Sequence, residues 1–148
     1  MRKIARMIYL AASWFFLVGI AVQVFLAGMV VVARLTGWGN HISLGHFLGA
    51  PLILMLVFQY VGRLPGRMKW LTWLLFGVYF IQADVVIFLR FDAPVISAFH
   101  PVLALADAVL GWSLARQAWV LVKESKTAGQ EQTMLEQTAE FSQHEQSI

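Results

Sequence analysis

Four apolar runs of about twenty residues or more, separated by short turns rich in Gly, Pro and basic side chains, constrain this chain more than any other feature. Crossing about 30 Å of hydrocarbon as a helix takes roughly 20 apolar residues, because each residue advances about 1.5 Å. The runs extend from about Met7 to Ala33, Ile42 to Val61, Trp70 to Leu89 and Phe99 to Val122. The joints read as turns: Thr36-Gly37-Trp38-Gly39-Asn40, Gly62-Arg63-Leu64-Pro65-Gly66 and Phe91-Asp92-Ala93-Pro94. Transmembrane strands would alternate in polarity over about ten residues, and these runs are apolar on nearly every side. The pattern predicts an all-α polytopic membrane protein: an up-down-up-down bundle of four transmembrane helices over residues 1–123, then a polar segment over 124–148.

Composition supports lipid as the solvent. The chain is 59% hydrophobic and only 13% charged, with mean hydropathy +0.71, whereas soluble domains carry about 25% charged residues. A water-soluble fold of this size would leave large apolar patches uncovered. The net charge of +3 is spread as punctuation between apolar runs, so nucleic acid is not a partner of this pattern. Without cysteine there is no disulfide framework and no thiolate ligand.

The basic residues also set a direction. Arg2, Lys3, Arg6, Arg63, Arg67, Lys69, Arg116, Lys123 and Lys126 fall on one side of the four runs, and only Arg34 and Arg90 on the other. Cytoplasmic loops hold the excess of Lys and Arg, which places both termini in the cytoplasm and the four spans in the cell membrane. The first run is nearly twice the roughly 7 to 15 residues of a secretory signal, so it reads as a retained helix. From Glu124 onward the Gln- and Glu-rich composition predicts a disordered cytoplasmic tail.

Polar side chains inside hydrocarbon cost about 2.5 to 3.5 kcal/mol each on insertion scales, so each is a functional hypothesis. They cluster toward the non-cytoplasmic halves: His41 and His46 opening the second helix, Gln82 and Asp84 toward the outer end of the third, His100 at the outer start of the fourth with Asp107 about two turns deeper, and Gln23 near the middle of the first, with Gln59 the main exception. The steps His100, Ala104, Asp107 and Gly111 lie on one helical face. Gly19, Gln23 and Ala27 form a similar stripe, as do Gly45 with Gly49, and Gly77, Ile81 and Asp84. Such stripes predict either plain close packing or a lining for the interior, with Asp84 and Asp107 as an interhelical pair or as carriers of a proton path. The two halves of the chain show no convincing internal repeat, although Arg34 and Arg90 end helices 1 and 3 alike.

His46 and His100 both enter within the first turns of a helix from the same side. In a sequential four-helix bundle their helices sit on a diagonal of roughly 11 to 14 Å, given neighbouring axes about 8 to 10 Å apart. That spacing suits two imidazoles gripping one haem iron, with Gly45, Gly49 and Ala104 leaving room for the porphyrin. His41, five residues from His46, is rotated by about 140° and is assigned to the loop. Pro101 fits the first turn of the last helix, and Pro51 predicts a kink inside the second. No protein-only catalytic motif is present: HExxH, a P-loop, a nucleophile elbow and a dinucleotide fingerprint are all missing.

On these motifs the chain resembles an uncharacterised family of small four-helix membrane proteins from bacteria and archaea, a domain of unknown function. The residues that carry the resemblance are Gly19-Ile20-Ala21-Val22-Gln23-Val24-Phe25-Leu26-Ala27-Gly28, His46-Phe47-Leu48-Gly49, Arg63-Leu64-Pro65 and His100-Pro101-Val102-Leu103-Ala104, within about Ile8 to Val122. It implies a prokaryotic plasma membrane and brings no established activity. The chain is also distantly similar to cytochrome-b-type four-helix proteins, in which histidines on facing helices hold haem. That likeness implies one b-type haem at most.

Three functions fit this reading. The first is a non-catalytic haem protein passing electrons, to or from quinone, with His46 and His100 as metal ligands. The second is an accessory subunit packed against other membrane subunits without a cofactor. The third is a small transporter or proton-conducting protein using Asp84 and Asp107.

Overall fold

The computed structural model describes residues 1–89 and 91–146. Arg90, one of the two cations assigned to the far side, lies outside the described residues. All regular structure among the described residues is helical. Helix α1 spans Arg2–Val31; α2 (Gly39–Phe47) and α3 (Gly49–Val61) follow, separated only by Leu48. Next come α4 (Gly66–Phe80), one π-helical turn (Ile81–Val85) and α5 (Val86–Phe88) in direct succession. A short α6 (Pro94–Ser97) leads into α7 (His100–Gln146).

Three stretches are long and apolar enough to cross a membrane: Arg2–Val31, Gly39–Val61 and Val95–Thr127. The third apolar run of the sequence is divided by its π turn into shorter pieces. The outward faces agree with a lipid solvent, since Val24, Phe25, Val102 and Leu105 are each more than half exposed. Large apolar side chains in such number on a surface would be a liability in water.

The break at Leu48 is the expected kink. Pro51 has no N–H to give to the carbonyl four residues back, and its ring crowds that carbonyl, so the helix interrupts one turn earlier. Pro101 sits in the first turn of α7, where a missing N–H costs nothing. At the other end of α3, Arg63 takes a left-handed φ of 49°. Its N–H donates to the Tyr60 carbonyl at 3.1 Å, and that of Leu64 to the Gln59 carbonyl at 3.0 Å. This paired closure satisfies the last carbonyls and turns the buried Leu64 back onto the core.

One difference concerns the polar segment. Where the sequence predicts a disordered tail after Glu124, α7 continues through to Gln146. Glu, Gln, Lys, Ala, Met and Leu are strong helix formers and no proline interrupts them, so local propensity favours continuing the helix.

The packing closes a ring. The α1 helix lies against α3 and α7, and α4 lies against α3 and α7. The core between them is built from Tyr9, Phe16, Leu48, Leu52, Met55, Leu75 and Leu114, all shut off from solvent. Gly19 is required for the closest of these approaches: a Cβ there would come within 2.2 Å of the Leu48 side chain. Overpacking of this kind costs about 1 to 3 kcal/mol, against about 1 kcal/mol gained in helix propensity. Gly19→Ala is therefore expected to lower the detergent-solubilised Tm, and the loss should be smaller when Leu48→Ala is made in the same chain, which thermal unfolding of the double-mutant cycle measures.

Candidate functional site

Polar side chains collect at the end of the helices that carries His41 and His100. His41 belongs to the first turn of α2, because that helix begins at Gly39 and not after His41. Its Nδ1–H donates to the backbone carbonyl of Gln23 at 3.1 Å, and its ring meets Trp38 edge-on at 5.4 Å. His100 opens α7 and makes the same bond, Nδ1–H to the Gln82 carbonyl, at 3.1 Å. The two imidazoles face each other with ring centroids 6.1 Å apart and planes at 63°. A hydrogen bond at Nδ1 places the proton there and leaves Nε2 with a free lone pair.

The pairing predicted from sequence was His46 with His100, and the structure does not make it. His46 is exposed, and its Nδ1 bonds the Ile42 carbonyl of its own helix at 2.9 Å. The 140° rotation between positions 41 and 46 is real, but the inward residue is the other one, since the early start of α2 makes His41 helical. Of the expected lining, Gly49 and Ala104 are half-buried, and a Cβ on Gly49 would reach ordinary contact with Tyr79 at 4.0 Å.

The stripe on the last helix is as predicted: His100 and Ala104 are half-buried, Asp107 and Gly111 buried. Gly19 and Gln23 of α1 also turn inward. On the third segment the stripe differs. The inward residues are Met68, Thr72, Leu75, Tyr79 and Gln82, while Asp84 is exposed and Gly77 has open space around it. Both stripes have helical spacing, and Gln82 and Asp84, two residues apart, cannot share a face. Asp84 is exposed and Asp107 buried, and no hydrogen bond joins the two.

Tyr79, not singled out in the sequence, donates its hydroxyl to the Gly45 carbonyl and stacks edge-on with Phe16 at 5.8 Å. Gln23 lies over Gly45, where a Cβ would come within 2.8 Å of its amide nitrogen. Gln23 Oε1, Gln82 Oε1 and both oxygens of Asp107 are buried with no hydrogen-bond partner, as are both amide atoms of Gln59. Toward the opposite end, the Tyr9 hydroxyl bonds Thr72 Oγ1 at 2.6 Å, while Thr72 itself donates to the Met68 carbonyl at 2.8 Å and Ser13 to the Tyr9 carbonyl at 2.6 Å. Arg6 Nε closes that end on the Gly62 carbonyl at 3.1 Å.

These contacts reveal a repeat that the sequence hides. Gln23 and His41, like Gln82 and His100, are 18 residues apart, and the second pair follows the first by 59 positions. The same shift carries Ser13-Trp14 onto Thr72-Trp73, where both hydroxyls bond the carbonyl four residues back. It also superposes the buried positions: Ala5 on Leu64, Tyr9 on Met68, Phe16 on Leu75, Ile20 on Tyr79, Leu52 on Gly111, Met55 on Leu114. Exchanging the halves leaves the ring of helix contacts unchanged. The absence of a repeat, expected from side-chain identity, is corrected by register and hydrogen bonding.

A family model described as "Family of unknown function (DUF6220)" matches residues 23–86, less than half of the chain. The matched stretch begins at Gln23 and includes His41, Tyr79 and Gln82, and stops before His100. No curated protein and no solved structure matches.

The Tyr9–Thr72 bond yields an asymmetric expectation. Removing the acceptor in Thr72→Val strands a buried phenol and should cost about 1 to 3 kcal/mol. Tyr9→Phe should cost less through this bond, because Thr72 keeps its Met68 carbonyl, and the Tyr9→Phe, Thr72→Val pair should fall below the sum in thermal unfolding.

Proposed function

We propose that this chain is a four-span membrane protein that holds one b-type haem between its second and fourth spans, with His41 and His100 as axial ligands, and that it passes electrons. The observation that carries the reading is the facing pair of imidazoles, one from each half of the repeat, each fixed through Nδ1 to a backbone carbonyl. Metal–imidazole bonds of about 2 Å, with the ring centre about 1 Å further on, put two rings on opposite faces of one metal roughly 6 Å apart. The separation of 6.1 Å fits. Two protein ligands are what a porphyrin iron requires, because the macrocycle supplies the other four. A structural zinc needs four from the protein, and no group of three His, Asp or Glu able to hold a metal occurs among the described residues. Gly45 and Ala104, one turn beyond each histidine, keep bulk away from the gap. Held by His41 and His100 together, such an iron would suit electron exchange rather than dioxygen binding.

The third segment, Gly66 to Phe88, supplies the remaining span in this reading, its π turn holding Gln82 toward His100. The parallel repeat then relates the halves by an axis along the membrane normal. Both termini and the basic turn from Gly62 to Lys69 lie in the cytoplasm, and the histidines lie at the outer surface.

Membranes enriched in the protein from haem-replete cells should show visible bands that shift on dithionite reduction. Those bands should vanish in His41→Ala and His100→Ala and persist in His46→Ala. A colourless wild-type preparation overturns the haem, and loss of the bands in His46→Ala alone returns the ligand to that residue. Reporter fusions in the Gly62 to Gly66 turn should report a cytoplasmic position, and an external one overturns the orientation.

A further inference from the structure

The repeat is broken at two fully buried positions in a way that packing does not explain: Gln59 corresponds to Ala118, and the other break carries a charge-bearing group. Leu48 of the first half corresponds to Asp107 of the second, both at 0% exposure. The first half shows that an aliphatic side chain serves there: Leu48 fills the space over Gly19. The second half places a carboxyl at the same point, and neither of its oxygens has a hydrogen-bond partner. Such a group costs several kcal/mol in a lipid-embedded core unless something supplies positive charge or donor hydrogens.

The neighbouring polar atoms supply neither. Toward the histidine end, the unpartnered buried atoms among the described residues are Gln23 Oε1 and Gln82 Oε1, again acceptors. Among the described residues the lone unpartnered buried nitrogen, Gln59 Nε2, is 11 residues beyond Leu48, the counterpart of Asp107, about 16 Å along α3. Among the described residues, the titratable side chains that turn inward on the elements packed against α7 are Arg6 and Tyr9 on α1, His41 on α2 and Tyr79 on α4, with His100 on α7 itself; Asp84, on the π turn that also packs against α7, is exposed. Arg6 donates to the Gly62 carbonyl, Tyr9 is engaged by Thr72, Tyr79 by Gly45, and the histidines by Gln23 and Gln82. Among the described residues, the unpartnered buried oxygens toward the imidazoles are thus acceptors, with Asp107 the one fully buried carboxyl and no cation recorded against it.

We propose that Asp107 is the binding site for a single monovalent cation, a proton or an alkali-metal ion, taken up from the His41–His100 end. Asp107 lies seven residues past His100, about 10 Å below it on the same face, and Gln23 lies against Gly45, one turn below His41. One carboxylate with amide oxygens matches a single positive charge; a divalent ion would draw on more carboxylates than this one. The inference uses the membrane-spanning reading and is independent of haem.

An apolar carbodiimide tests it on the full-length protein in detergent or vesicles. The reagent adds the O–H of a carboxylic acid across its C=N bond, and the adduct rearranges to a stable acylurea, so it reports only a carboxyl that holds a proton. Peptide mass mapping should place the adduct on Asp107. Labelling should fall about tenfold per pH unit once the carboxylate predominates, and should vanish in Asp107→Asn while persisting in Asp84→Asn. Slowing by sodium chloride but not by choline chloride at fixed pH identifies an alkali ion; dependence on pH alone identifies the proton. No adduct on Asp107 in the wild-type chain, or labelling indifferent to pH and to sodium, overturns the proposal, whatever the visible spectrum shows.

Discussion

Lipid offers no hydrogen bonds, and that constraint organises the rest of this molecule. Each apolar segment must close its own backbone bonds as a helix, and polar side chains must find partners inside the ring of helices. Val24, Phe25, Val102 and Leu105 can stay outside at no cost, while Tyr9, Thr72, Tyr79, Gln59 and Asp107 are drawn in. The usual inside-out logic of a water-soluble domain does not apply; here the interior is the more polar place.

Within that interior, backbone carbonyls do much of the positioning. His41 and His100 each take a carbonyl from the neighbouring helix, Tyr79 takes Gly45, and Arg6 takes Gly62. Carbonyls retain a second lone pair after helix formation, so these bonds tie helices together without breaking the ladders they join. The two-fold correspondence of the halves makes the histidine contact symmetric, and the departures from it, Leu48 against Asp107 and Ile20 against Tyr79, mark where chemistry has been added to a packing scheme.

Much of the architecture was legible. Apolar length revealed the helical segments, Pro51 the interruption near Leu48, Pro101 the start of α7, and the spacing of His100, Ala104, Asp107 and Gly111 a single inward face. The site was legible only in part. The onset of α2 at Gly39 makes His41 helical, and the rotation of that helix against its neighbours turns His41 inward and leaves His46 exposed. On the third segment, two stripes of equal periodicity competed, and the one bearing Thr72, Tyr79 and Gln82 took the core, leaving Asp84 outside. The equal 18-residue intervals from Gln to His were present in the sequence, but they acquire meaning only when both pairs are seen to make the same bond.

What the amino-acid sequence determined by itself is the lipid-compatible character and the helical form of the apolar segments, because hydropathy and periodicity are sums over neighbouring residues and need no partner. Which faces meet was decided only in three dimensions. Helix rotation is set by packing between segments tens of residues apart, as when Leu48 seats on Gly19, and that rotation decides which of several side chains on a helix faces in.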